Sequence, residues 1–330
     1  MSRLPRRRML VASAVAALGT LGTLAAGALA AHKVTIALVM KSLDDPFVIA
    51  MVEGAKNYQR HYASQLDLTT RGTARETDID GQIRLVEELI DARTNAIVIA
   101  PADSTALMPA AAKAIGAGIV VIAIDNPFDA AAEEAADVSI PFVGPDSRKG
   151  ARLVGAYLGK RLRPGDEVGI IEGTQGGHNA QERTAGFRLA MDAAGARVVA
   201  VSASDWSAGR GRVAALAMLG EHPRLRALLC GNDNLAMGAV EAIRASGKTD
   251  KVYVTGYNNI EEIDPMIRDG RVLATVEQFA AKQAVFGIDV ALKALAENRR
   301  QEDLSQFIET PVQLVTKETS KTLRMGAVQA

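Results

Sequence analysis

The sequence predicts an α/β protein of two lobes, each a parallel sheet flanked by helices. Three observations predict it. From Val34 onward, short apolar runs of strand length alternate with stretches whose apolar residues recur at helical spacing, the order that builds parallel sheets covered on both faces. About 300 residues remain once an N-terminal leader is set aside, a length that suits two lobes better than one. Polar and aromatic residues stand at the strand ends along the whole chain, where open α/β sheets hold ligands. Together they point to one site assembled from two lobes.

The elements follow in order. Val34–Met40 is a near-continuous apolar run, as expected of a strand buried on both faces. Pro46 then opens a helix to about His61, since its missing N–H costs nothing at a first turn. Leu66–Thr70 reads as a strand, and Asp78–Ala92 as a helix with Ile79, Ile83, Val86 and Ile90 on one face. Ala96–Ala100 is a strand stopped by Pro101, Ser104–Ala114 a helix and Ile119–Ile124 a strand. The second lobe repeats the scheme. Strands are expected at Glu167–Ile171, Arg197–Val201, Ala227–Cys230, Val252–Thr255 and Val272–Val276. Helices are expected near 147–161, 180–194, 209–220, 234–245 and 260–268. A long helix from Ala280 to Asn298 and a β-like stretch from Phe307 to Val315 close the chain.

The first thirty residues read as an export signal. Arg3 and Arg6–Arg8 precede an Ala- and Leu-rich stretch, and Ala28-Leu29-Ala30 offers a cleavage site. The paired arginines resemble a twin-arginine signal, with general secretion the alternative route. A membrane anchor is the competing reading, weakened by Gly19, Gly22 and Gly27 in the apolar stretch. The whole chain balances 38 basic against 38 acidic residues; without Arg3, Arg6, Arg7 and Arg8 it carries a net charge of −4. It has no basic block beyond the leader, so nucleic acid is not an expected partner. The single cysteine, Cys230, lies in an apolar strand pattern and reads as a buried thiol.

Motifs for chemistry are weak. Gly247-Lys248-Thr249 follows a helix instead of preceding one and reads as a helix C-cap. Gly173-Thr174-Gln175-Gly176-Gly177 lies between strand and helix but lacks dinucleotide spacing; it reads as a loop that lets backbone approach a ligand. His178 and Glu182 share a helix face without a third ligand, so no metal is expected. No cofactor loop and no nucleophile–base set is present, and the chain reads as a binder instead of an enzyme.

Several segments resemble the periplasmic sugar-binding proteins of the ribose-binding type, which serve ABC transporters. They are Ile36–Val39 with Pro46-Phe47, Glu182-Arg183 with Gly186-Phe187, His222-Pro223, Asn232-Asp233 with Gly238-Ala239, and Leu273–Thr275 with Gln278. The similarity runs from about Lys33 to Lys317. It implies two Rossmann-like lobes, 31–144 plus 279–313 and 145–278 plus 314–330, joined by three crossings near 142–145, 278–279 and 312–314.

By the same resemblance Phe47 and Trp206 flank a sugar ring; the polar run Ser204-Asp205-Trp206-Ser207 leads one to expect Trp206 exposed at a cleft. Asp125, Arg183, Asn232 and Gln278 bind hydroxyls, which both donate and accept. Asn126, Tyr257-Asn258, Lys41 and Asp45 depart from the ribose pattern. Lys41 matches hexose binders, and the region of Tyr257 and Gln278 leaves an acyclic polyol open, so ribose is not the first choice. The implied partners are a sugar or polyol, ABC permease subunits, and a chemoreceptor or sensor kinase reading the closed form. The implied state is a periplasmic monomer without cofactor or metal. A repressor's effector domain and an exported enzyme are the alternatives; a repressor would need a helix-turn-helix where the leader stands.

Overall fold

The computed structural model describes residues 33–249 and 251–320; the leader expected over residues 1–30 lies outside the described residues. The first lobe is laid down by β1 (Val34–Ser42), α1 (Pro46–His61), β2 (Leu66–Thr73), α2 (Ile79–Asp91), β3 (Ala96–Ile99), α3 (Met108–Gly116), β4 (Val120–Ile124), α4 (Ala130–Ala135) and β5 (Phe142–Pro145). The second begins with α5 (Ser147–Gly159) and β6 (Glu167–Ile171). It continues through α6 (His178–Ala193), β7 (Arg197–Ser202), α7 (Ala208–Glu221), β8 (Leu225–Cys230), α8 (Asp233–Ala245), β9 (Tyr253–Thr255) and α9 (Asp264–Asp269) to β10 (Ala274–Glu277). The chain then returns. Helix α10 (Ala280–Ala296) packs on α1, β3 and β4, and β11 (Phe307–Thr310) pairs with β5. Strand β12 (Gln313–Thr316) pairs with β10.

Two six-stranded sheets result, ordered β11-β5-β4-β3-β1-β2 and β12-β10-β9-β8-β6-β7. All pairings are parallel except β10–β12, where a short link from β11 brings the edge strand in antiparallel. The chain passes between the sheets three times: at Asp146, at Gln278-Phe279 and at Pro311-Val312. Ile36 to Met40 of β1 are all at most 1% exposed, which explains why this strand is apolar on both faces.

Helix starts are set by side-chain caps. Asp45 accepts from the N–H groups of Phe47 and Val48, Asp78 from Gly81, Asp146 from Lys149, Ser207 from Arg210 and Asn232 from Leu235. Gly247, at φ +64°, ends α8 as the sequence reading expects, with Lys248 N–H returning to the Ile243 carbonyl.

Several elements differ from expectation. Helix α3 starts at Met108 and not Ser104, because Asp103 caps a separate turn through Thr105 and Ala106 N–H and Ser104 is drawn to the other lobe. Helix α9 begins at Asp264 after a 3₁₀ turn over Glu261–Ile263. The stretch 307–315 is two strands in different sheets, parted at Pro311. Strand β5 and the one-turn-and-a-half helix α4 carry no local signal strong enough to be anticipated. Among the described residues, no helix is long and apolar enough to cross a membrane.

Candidate functional site

The carboxyl ends of both sheets face one cavity. The empty space between its lining atoms is about 330 Å³, open solvent included. Lys41 enters from the end of β1, Asp45 and Phe47 from the start of α1, and Asp125 from the residue after β4. From the other side come Arg183 on α6, Trp206 after β7, Asn232 after β8 and Asn258 after β9. Three lining residues lie outside the sequence-derived set: Val48, Glu76 and Asn179. Glu76 follows β2, and the strand-end rule reaches it once β2 is seen to run to Thr73 instead of Thr70.

The lobes are closed on each other. Asn234 Nδ2 donates to Asp45 Oδ2 (2.7 Å), Ser104 N–H to the Gly176 carbonyl (2.9 Å), His178 N–H to Ser104 Oγ (3.1 Å) and Asn179 N–H to Asn126 Oδ1 (3.0 Å). Closure buries both aromatics to 6% exposure, so Trp206 is not exposed at the cleft as expected, but covered inside it. Its indole fills the space a side chain at Gly173 would occupy: a Cβ there would lie 1.9 Å from Trp206 Cζ2. The glycine-rich loop therefore serves the aromatic wall. A Cβ at Gly176 would lie 1.8 Å from an oxygen of Asp103, so this glycine also permits lobe contact.

Three predicted residues stand behind the wall. Asn126 is consumed by closure, its Nδ2 donating to the Pro101 carbonyl and Ser104 Oγ while its Oδ1 accepts from Asn179. The Tyr257 ring lies 3.9 Å from the Arg183 guanidinium carbon, with Trp206 at 5.5 Å, so the guanidinium lies against two aromatic rings. Gln278 Nε2 donates to Asn258 Oδ1 (2.7 Å), and its Oε1 accepts from Arg183 (3.4 Å). These two contacts tie together lining groups from α6 and the β9 loop.

The charges are mostly spent on one another. Lys41 Nζ lies 2.8 Å from Asp125 Oδ2 and 3.5 Å from Glu76 Oε2. Burial alone would lower the Lys41 ammonium, but the two carboxylates outweigh it and hold it well above the ordinary lysine range. Burial raises Asp45, against the pull of Phe47 and Val48 N–H, and raises Glu76, against the pull of Lys41. Arg183 Nη1 donates to the Gly231 carbonyl (2.9 Å), while its Nε is buried without an acceptor among the described residues. Asp125 and Trp206 adopt left-handed backbone, φ +61° and +70°, and Asn232 Nδ2 holds the Trp206 carbonyl (3.1 Å).

Two hinged lobes closing on a buried polar cavity walled by aromatics define a solute-binding protein. The chain belongs to the periplasmic binding protein family, whose domain matches residues 36–299. It is 53% identical to the D-ribose/D-allose-binding protein of Pseudomonas aeruginosa, over 96% of this chain and 99% of that one. A solved ABC transporter solute-binding protein from Burkholderia multivorans, its unknown ligand represented as alpha-D-erythrofuranose, superposes with a TM-score of 0.84 at 57% identity, covering 86% of this chain and 99% of that one. Another, from Actinobacillus succinogenes with bound D-allose, gives a TM-score of 0.80 at 30% identity over 88% and 100% of the two chains.

Proposed function

We propose that this chain is the periplasmic solute receptor of an ABC importer and captures a neutral aldose by closure of its two lobes, presenting the closed form to membrane permease subunits. The observation that carries the reading is the cavity itself: Lys41, Asp125, Arg183, Asn232 and Asn258 converge from both lobes beside Phe47 and Trp206. Aromatic faces suit the C–H surface of a sugar ring, and the polar groups suit its hydroxyls. Two cations among three carboxylates leave the cavity rich in acceptors, so a ligand carboxylate or phosphate would be repelled and a donor-rich neutral ligand favoured.

The names of the relatives favour D-allose and D-ribose. The two pyranoses share the arrangement of their ring hydroxyls and differ by one hydroxymethyl group. Lys41, which resembles hexose binders, favours the larger of the two. We read the site as one for capture and not turnover: Lys41 is held protonated between carboxylates, and the buried Cys230 does not line the cavity. Residues 1–30 would direct export, with cleavage near Ala30, which N-terminal sequencing of the exported protein would test.

The decisive experiment titrates the protein lacking residues 1–30 with D-allose, D-ribose, D-glucose, D-galactose, myo-inositol and ribitol, following the fluorescence of Trp206, the single tryptophan. A saturable response to the aldoses is expected. Calorimetry should show it weakened roughly 10- to 100-fold in Arg183→Ala, the cost of a charged hydrogen-bond donor. No response to any member of the panel would overturn the reading.

A further inference from the structure

The Asn258–Gln278 contact lies among residues with positive φ. Asn258 and Asn259 have φ +116° and +57°, and Phe279, the second crossing between lobes, has φ +53°. Asn259 takes such a conformation at little cost, but the bulky Phe279 rarely does, so something must hold it there. One carboxylate touches both. Glu277, the last residue of β10, accepts from Asn259 Nδ2 through Oε2 (2.8 Å) and from the Phe279 N–H through Oε1. The backbone agrees: Asn258 N–H donates to the Val276 carbonyl (2.8 Å), and Asn258 bridges to Glu277 as an isolated parallel pair. Asn258 and Gln278 are thus each the immediate neighbour of a residue that Glu277 grips.

We propose that Glu277 is a positioning residue: its carboxylate clamps Asn259 and Phe279 and thereby preforms the Asn258–Gln278–Arg183 chain that walls the cavity. This rests on the reading of that cavity as the ligand site. The clamp joins a cavity-lining loop to a hinge crossing through one side chain, so the wall is ordered before ligand arrives. Gln at 277 can accept at only one end, and Ala at neither. The effect should therefore be graded from Glu to Gln to Ala.

Hydrogen exchange and calorimetry test it together, on wild type, Glu277→Gln and Glu277→Ala. In Glu277→Ala the amide of Phe279 should exchange about tenfold faster while amides of β1 and β8 are unchanged, as loss of a single hydrogen bond of about 1.4 kcal/mol predicts. Affinity for the aldose that binds wild type should fall by about the same factor, with Glu277→Gln between. Asn259→Ala should reproduce part of the loss and add little to Glu277→Ala, because both act through one contact. Unchanged Phe279 exchange in both Glu277 variants overturns the clamp, as does uniform acceleration at every amide, which would mean general destabilisation. The exchange arm needs no ligand. Failure of wild type to bind any sugar would therefore sink the functional reading separately.

Discussion

Asp233 shows how much one side chain's surroundings decide. It is fully buried, accepting from Thr275 Oγ1 (2.6 Å) and Ile260 N–H (3.0 Å), and burial pushes it up to about 7 despite those bonds. A carboxyl raised on folding favours the folded state while it holds its proton. Its contribution is therefore complete below about pH 4, the unfolded value, and lost as pH rises through about 7. We expect unfolding free energy to decline between those limits by on the order of 4 kcal/mol from this group. In Asp233→Asn, urea unfolding at pH 5 and pH 8 should show most of that slope gone. The residue of slope would report Asp45, Glu76 and Glu277, which burial raises in the same direction. An unchanged slope would rule out Asp233 as its source. The family resemblance pointed to Asp125 and Arg183 as polar site groups, but not to their partners. The resemblance to hexose binders places Lys41 near the ligand, yet its ammonium donates to Asp125 and lies 3.5 Å from Glu76.

At the level of elements, the strand-to-helix turns carry the site, and most were legible because apolar runs mark where a strand stops. Asp45 and Asn232 both line the cavity and cap helices α1 and α8, so the helix starts fix these side chains at the cleft. The loop after β6 was legible as glycine-rich but not in purpose, since the ring that needs the space arrives from the loop after β7. This gives a direct test. Gly173→Ala should displace the Trp206 indole, cost about 1–3 kcal/mol in stability as overpacking does, and blunt the fluorescence response to ligand. A variant with wild-type affinity and emission would show that the indole does not depend on Gly173. Strand β5 escaped notice because four residues, one of them glycine and one proline, carry little periodicity.

For the whole molecule, the proposed reading makes closure of the two lobes the functional variable. The ligand is expected to select the closed arrangement through contacts to both lobes. Asn234 and Asp45 form a polar contact across the cleft. Removing it in Asn234→Ala should shift the unliganded population toward open forms. Small-angle scattering would then show a larger radius of gyration without sugar and the wild-type value with it. Affinity should weaken by roughly fivefold, the worth of one hydrogen bond of about 1 kcal/mol. Identical scattering and affinity would mean that the contact contributes nothing to closure.

By itself the sequence determined the two β/α lobes and located the strand ends, because periodicity and strand-stopping residues are local and visible within a few positions; the aromatic pair came from the family resemblance. Only the tertiary structure decided how those groups are spent. Lys41 meets Asp125 across 84 positions and Asn234 meets Asp45 across 189, Asn126 is turned from ligand contact to lobe contact, and Glu277 holds the residues flanking the cavity wall. A buried polar group must find its partner in whichever loop the topology brings beside it, and no local pattern encodes which loop that will be.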